Sequence, residues 1–187
     1  MTGSSRSSPP PAAITIGVMG SGSDELDHLA RPLGQLLARL GVNLLTGAGG
    51  GVMTSVSRAF TTSPRARGIC IGIVPCASID ERASPRDGYP NPFVELPILT
   101  HLPYRGTRGT DDLSRNHINV LSSNAIVALP GGSGTASEVA LAVRYRKPIV
   151  VLTTSEALVS SFDPSVPRVL DIADVEAFLR LRAPLPP

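Results

Sequence analysis

The sequence predicts a Rossmann-like α/β domain with a doubly wound parallel sheet. The chain has 187 residues, which is the length of one domain. Short, apolar, β-branched runs alternate with stretches whose apolar residues recur every three or four positions, and this predicts alternating strands and helices. Glycine-rich turns follow three of the predicted strands. We expect the domain to span residues 13–183, and residues 1–12 to form a disordered N-terminal tail.

The first half of the chain contains two strand–turn–helix units and a third strand. An apolar run ends at Gly20, and the helical stretch that follows carries leucines at three- and four-residue spacing until Gly41 closes it. A second strand leads through a cluster of glycines into a second helix. The predicted strands are 13–20, 42–47 and 68–75, and the predicted helices are 24–41 and 52–60.

The second half begins with a long irregular segment and then returns to strands and helices. Residues 76–109 are rich in proline and arginine, and 94–100 within them form a candidate edge strand. We expect the 76–109 segment to reach over a ligand crevice or to line a dimer contact, and the alternative is a solvated surface loop. Thr110 and the two aspartates after it are typical of a helix N-terminus. The remaining predicted elements are helices at 110–124, 136–147 and 175–182 and strands at 125–130 and 148–153.

Composition excludes several classes of function. Lys147 is the only lysine, and its position before a proline and a strand fits neither a Walker-A loop nor a Schiff-base lysine. Cys70 and Cys76 form no CxxC pair and the histidines are scattered, so we expect no metal site. A net charge of +2 and the lack of a long apolar run predict neither nucleic acid nor a membrane as a partner. The expected location is the cytoplasm.

Three glycine-rich turns are expected to meet at one crevice, because the strand-to-helix turns of a parallel sheet lie at the same edge. Glycine lets a phosphate approach the backbone, and the helix that follows offers unpaired N–H groups. Each turn can instead be only a tight connection between elements. The candidate phosphate- and nucleotide-binding residues are Gly20, Ser21 and Gly22, then Gly47, Gly49, Gly50 and Gly51, and finally Gly131, Gly132, Ser133, Gly134 and Thr135.

These turns do not form a dinucleotide fingerprint. Glu25 stands where the third glycine of GxGxxG belongs, and the second strand ends in Thr46-Gly47 with no carboxylate for a ribose hydroxyl. NAD and NADP are therefore disfavoured. A nucleoside monophosphate or another small phosphorylated ligand fits better.

Topology places Arg115 and Glu138 at the same edge of the sheet. Arg115 is expected about one turn into its helix, and Glu138 in the first turn of the next helix, beside the third glycine turn. The alternatives are a surface cation and a favourable charge at a helix N-terminus. The pair predicts a site where an arginine and a carboxylate flank a bound phosphate.

The segment PGGSGTASE at 130–138 resembles the PGGxGTxxE motif of the LONELY GUY family of cytokinin-activating phosphoribohydrolases. The family's catalytic arginine lies fifteen residues before the motif's proline, where this chain has Arg115. The resemblance implies that Arg115 and Glu138 are catalytic and that a nucleoside 5′-monophosphate is cut to free base and ribose 5-phosphate without a cofactor. It also implies a homodimer or a higher homo-oligomer.

The arginine motif departs from that family. Asp112 and Asn116 replace the methionine and lysine of the family's MxxRK, and SRNHINVLSSNAIVA at 114–128 resembles the related molybdenum cofactor carrier proteins. This second resemblance implies the molybdenum cofactor as a ligand and no catalysis, with Asn116 among the ligand-binding residues. A nucleotide-sensing module without catalysis is a third alternative.

A chemical argument favours the hydrolase. Cleavage of an N-glycosidic bond passes through an oxocarbenium-like state that a carboxylate at Glu138 can stabilise, whereas a carrier has no evident need for one. The base itself is not identified by the sequence. Phe93 and Tyr104, in the 76–109 segment, are the candidate base contacts.

Overall fold

Seven parallel strands form one sheet with helices on both faces in the computed structural model, which describes residues 14–185. The predicted tail at 1–12 lies outside the described residues. The strands are β1 (Thr15–Met19), β2 (Asn43–Thr46), β3 (Cys70–Val74), β4 (Leu96–Leu99), β5 (Ala125–Ala128), β6 (Ile149–Leu152) and β7 (Arg168–Val169). The helices are α1 (Asp27–Leu40), α2 (Val52–Thr61), α3 (Asn116–Leu121), α4 (Ser133–Arg144) and α5 (Ile172–Arg182).

The strand order explains where a ligand can bind. The order is β4-β3-β2-β1-β5-β6-β7, so the chain builds outward from β1 in one direction and from β5 in the other. β1 and β5 are neighbours, with Ile16 opposite Ala125 and Met19 opposite Ala128. In such a sheet the crevice opens at the carboxyl ends of these two strands. The predicted Rossmann-like, doubly wound fold is confirmed.

The apolar side chains of the helices pack against the two faces of the sheet. Helices α1, α2 and α5 cover one face, where the predicted leucines Leu33 and Leu37 are buried. Helices α3 and α4 cover the other face. Gly34 allows α1 and α2 to lie close together, because a Cβ there would be 2.6 Å from the carbonyl oxygen of Val56. In the described part of the chain, no helix is long and apolar enough to cross a membrane.

The predicted helix at 110–124 was wrong in its first half. The helix α3 begins only at Asn116, and the preceding residues form turns. Tertiary hydrogen bonds hold these turns: the Tyr104 N–H donates to the carbonyl of Leu113, and the Ser114 hydroxyl donates to the carbonyl of Tyr104. Thr110 is therefore not an N-cap, and Arg115 lies at the helix start rather than one turn inside it.

The starts of three other helices also differ from the prediction, and the last of them, α5, begins at Ile172 rather than at residue 175. Helix α1 begins at Asp27 after Leu26, which takes a left-handed conformation with φ of 43°. Helix α4 begins at Ser133, so the end of the third glycine turn is itself the first turn of the helix. Glu138 consequently lies in the second turn of α4 and not in the first. The short strand β7 was not predicted, whereas the edge strand within 76–109 was confirmed as β4.

Candidate functional site

The three glycine turns are joined by backbone hydrogen bonds. The N–H of Ser21, in the first turn, donates to the carbonyl of Pro130 in the third turn at 3.1 Å. The carbonyl of Ser21 accepts from the N–H of Val52, at the end of the second turn, at 2.9 Å. The turns therefore meet at one edge of the sheet, as the alternation of strands and helices predicts.

A cavity of about 430 Å³ opens where the turns meet. That volume is in the range of small-molecule sites. It is lined by eleven of the predicted site residues together with several that were not predicted. The predicted ones are Gly20, Ser21, Gly22, Gly47, Arg115, Asn116, Gly132, Ser133, Gly134, Thr135 and Glu138.

Four predicted glycines do not line this cavity, and protein atoms occupy the space beside each of them. A Cβ at Gly49 would be 2.8 Å from the Tyr89 hydroxyl, and one at Gly50 would be 3.0 Å from the carbonyl oxygen of Gly22. Gly51 has a φ of +59° and lies against the Ser21 carbonyl, and Gly131 lies against the side chain of Thr135. Close packing accounts for a glycine at each of these positions.

The first turn of α4 forms one wall of the cavity. The N–H groups of Ser133, Gly134 and Thr135 have no acceptor in the preceding turn of the helix, as at every helix start. Among residues 14–185, apart from the adjacent residues of the chain, no atom comes within 4 Å of a Cβ placed on Gly132, and the nearest to one on Gly134 is 3.6 Å away. The backbone is thus open to a ligand here, and the helix dipole favours an anion.

Arg115 forms part of another wall of the cavity and is 4% exposed. Its guanidinium packs against Gly47, where a Cβ would overlap Nη1. Nε and Nη1 are enclosed and have no hydrogen-bond partner among the described residues, and the guanidinium carbon lies 5.8 Å from the centre of the Tyr89 ring. Burial lowers the pKa of Arg115, and the nearby charge of Glu138 opposes that change.

Glu138 is also buried, with 8% of its surface exposed. Its Oε1 accepts a hydrogen bond of 2.7 Å from Nδ2 of Asn119. The ion pairs of the described chain do not include one between Glu138 and Arg115. Burial raises the pKa of Glu138, while the charge of Arg115 and the hydrogen bond from Asn119 oppose the rise. The two groups thus influence each other through their charges and not by direct contact.

Sequence reasoning missed Tyr89, Arg105 and Asn119. Tyr89 and Arg105 come from the 76–109 segment and line the cavity, so this segment does reach the crevice. In the sequence, only the length and the arginine content of this segment indicated that it lies near the ligand. Asn119 could have been found, because it lies four residues after Arg115 and hence on the same side of α3.

The aromatic residues selected from the sequence lie elsewhere. Phe93 and Tyr104 are not among the residues that line the cavity. The guanidinium carbon of Arg108 is 3.5 Å from the centre of the Tyr104 ring, which gives that ring a packing partner. Tyr89 is therefore the aromatic side chain that the described structure presents to a ligand.

The remaining candidates for chemistry are the single lysine and the side chains that could bind a metal ion. The ammonium group of Lys147 donates to the carbonyls of Leu121 and Ser123 at 2.8 and 2.7 Å, so the lysine binds the end of α3, away from the cavity. Within residues 14–185, no group of three or more histidine, cysteine or carboxylate side chains could hold a metal ion.

Comparisons with known proteins identify the family and similar folds. The model of the SLOG cluster4 family matches residues 13–179. The molybdenum cofactor binding protein of the phototrophic bacterium Rippkaea orientalis is 30% identical, with a TM-score of 0.68 over 91% of this chain and 98% of that protein. The Moco carrier protein of Chlamydomonas reinhardtii is 33% identical, with a TM-score of 0.65 over 90% and 99%. An uncharacterized protein of Archaeoglobus fulgidus is 30% identical over 141 residues, 74% of this chain and 80% of that protein.

Proposed function

The chain belongs to the SLOG cluster4 family, and from that premise we propose that it binds and carries the molybdenum cofactor, a phosphorylated pterin. The two similar structures described as molybdenum cofactor proteins support this, because the likeness extends over nearly the whole of both chains. The resemblance to the LONELY GUY family and to the carrier branch that the sequence suggested is confirmed.

The observation that carries the proposal is the cavity at the switch point. It combines the open N–H groups of the α4 start with the buried guanidinium of Arg115, which lines the cavity. Such donors suit the phosphate of the ligand at the helix start and a second electron-rich group beside the arginine. Arg105 adds another positive charge at the cavity, against the one carboxylate of Glu138.

Asn116 supports a carrier over a hydrolase. It occupies the position where the hydrolases have lysine, it is buried, and its Nδ2 has no hydrogen-bond partner among the described residues. Its Nδ2 lies against Gly109, where a Cβ would be 2.6 Å away, so this neutral amide packs against the 76–109 segment and brings no ammonium charge to the cavity.

The experiment is a direct transfer of the cofactor. The purified chain is incubated without oxygen with molybdenum cofactor released from a molybdoenzyme, then separated from free ligand by gel filtration. We expect molybdenum, measured by mass spectrometry, and pterin, measured by fluorescence, to elute with the protein in equal amounts. A chain that elutes with neither would contradict the proposal.

A phosphoribohydrolase is the second candidate, favoured by one specific observation. Arg115 and Glu138 line the same cavity, and a buried carboxyl with a raised pKa is typical of general acids and bases. This activity predicts release of free base and ribose 5-phosphate from nucleoside monophosphates but not from nucleosides. Glu138→Gln is then expected to lower turnover by about 10²- to 10⁴-fold, measured by chromatography of the products.

A further inference from the structure

We infer that Asn119 is a positioning residue that holds Glu138 in its ionised form and leaves a single carboxylate oxygen for the ligand. The inference concerns the site of the proposed function and rests on that function only for the identity of the ligand. It is carried by one buried hydrogen bond and by the helix that places it.

Helix α3 brings Asn119 to Glu138. The Asn119 N–H donates to the carbonyl of Arg115, so the two residues are one helical turn apart. The carbonyl of Asn119 accepts from the Ser123 hydroxyl at 2.8 Å, and the residue is completely buried. The same helix therefore presents a cation and an amide to one side of the cavity region.

The direction of the amide determines which form of Glu138 it favours. Nδ2 donates to Oε1 at 2.7 Å, and a carboxylate accepts such a bond whichever of its oxygens is used. A protonated Glu138 can keep this bond only with its proton on Oε2, and its neutral carbonyl oxygen then accepts more weakly than a carboxylate oxygen does. In the present orientation, Oδ1 has no partner among the described residues, so the donor side of the amide is used and the acceptor side is not.

The bond also restricts what a ligand can contact. Oε1 is engaged by Asn119, whereas Oε2 makes no hydrogen bond with the described residues and is not enclosed. The other charged or titratable side chains that line this cavity are Arg115, Arg105 and Tyr89. A hydroxyl or amine of the ligand is thus left Oε2 as its acceptor, with the carboxylate held in one orientation.

The test is a pH titration of Glu138 in the ligand-free chain, monitored by carbon NMR of the glutamate carboxyl groups. The Glu138 signal is assigned by its loss in Glu138→Gln. We expect Asn119→Ala to raise the pKa of Glu138 by about one to two pH units, as for a lost hydrogen bond to a charged group. Asn119→Asp, which keeps the shape but has no N–H to donate, is expected to raise it at least as far. Asn124→Ala removes an amide bonded to the Thr15 N–H at a distance from the site and is the matched control.

The native chain provides a second measurement that does not depend on folding of a variant. The side-chain NH₂ signal of Asn119 is expected to shift with pH at the same midpoint as the Glu138 carboxyl carbon. A Glu138 titration that is the same in the folded Asn119 variants, or an Asn119 signal that does not follow it, would overturn the inference. Because no ligand is present, failure of the chain to bind the molybdenum cofactor would leave this result unaffected.

Discussion

The guanidinium of Arg115 lies directly against Gly47, at a position that a Cβ on this glycine would occupy. Gly47, in the second glycine turn, therefore leaves the space in which Arg115, at the start of α3, reaches the cavity. This differs from the third turn, where Gly132 has open space beside it. The same residue type thus has two separable roles at one site.

Alanine at these two glycines is expected to separate structure from binding. Gly47→Ala displaces Arg115 and is expected to lower the free energy of unfolding by about 1–3 kcal/mol, as overpacking does. The methyl group of Gly132→Ala has open space among the described residues, so its unfolding free energy is expected to change by less than about 0.5 kcal/mol. Its methyl group is instead expected to obstruct the phosphate that we propose at this turn, with about tenfold weaker binding. Urea denaturation and calorimetry with the molybdenum cofactor and with AMP measure both effects, and unchanged binding by Gly132→Ala would place the phosphate elsewhere.

Arg105 is expected to attract the anionic ligand without stabilising the fold. It lines the cavity and is exposed to solvent. Arg105→Ala is expected to weaken ligand binding by about threefold to tenfold at low salt, and less as salt screens the charge. Arg82→Ala, an exposed arginine of the same 76–109 segment that does not line this cavity, is the control. An equal loss of affinity in both variants would indicate a general charge effect.

The buried carboxyl of Glu138 is expected to make stability depend on pH. Burial raises its pKa above the ordinary value of 4.5, so between those two values the folded chain binds more protons than the unfolded chain. Stability from this group therefore falls as pH rises through that interval. Glu138→Gln is expected to raise Tm at pH 7 by about 2 °C or more, and the gain should disappear near pH 4.

Thermal unfolding between pH 4 and 8 measures this difference. Glu81→Gln changes an exposed glutamate and is expected to show a constant, small difference over the same range. If Glu138→Gln is less stable than the parent at pH 7, attraction to Arg115 outweighs the cost of burying the carboxylate, and the prediction is wrong.

Lys147 is expected to matter for stability and not for ligand binding. Its ammonium group donates to two carbonyls at the end of α3. Lys147→Met is expected to lower the free energy of unfolding by about 1 kcal/mol, because the side chain is partly exposed and water can replace it. Urea denaturation and cofactor binding are the two measurements. A large loss of binding with unchanged stability would give the lysine a role at the site.

Local sequence patterns correctly predicted the strands that are buried on both faces and the helices that bury one face. Strands such as β1 and β5 are apolar on both faces because helices cover both, and α1 shows its buried face as leucine spacing. The prediction of a helix at 110–124 was wrong over residues 110–115. There the N–H of Tyr104 donates to the carbonyl of Leu113, a contact between residues nine positions apart that no helical spacing indicates. Tertiary contacts replaced the hydrogen bonds that a longer helix would have made.

By itself, the sequence determined the fold class, the meeting of three glycine turns and the presence of Arg115 and Glu138 beside them. Each of these follows from alternation of strands and helices, because parallel strands end at one edge. Only the tertiary structure decided that Tyr89 and Arg105 complete the cavity and that Asn119 bonds Glu138. Those relationships depend on how an irregular segment folds back and which way side chains turn in a packed interior, and neither is encoded in a periodic pattern.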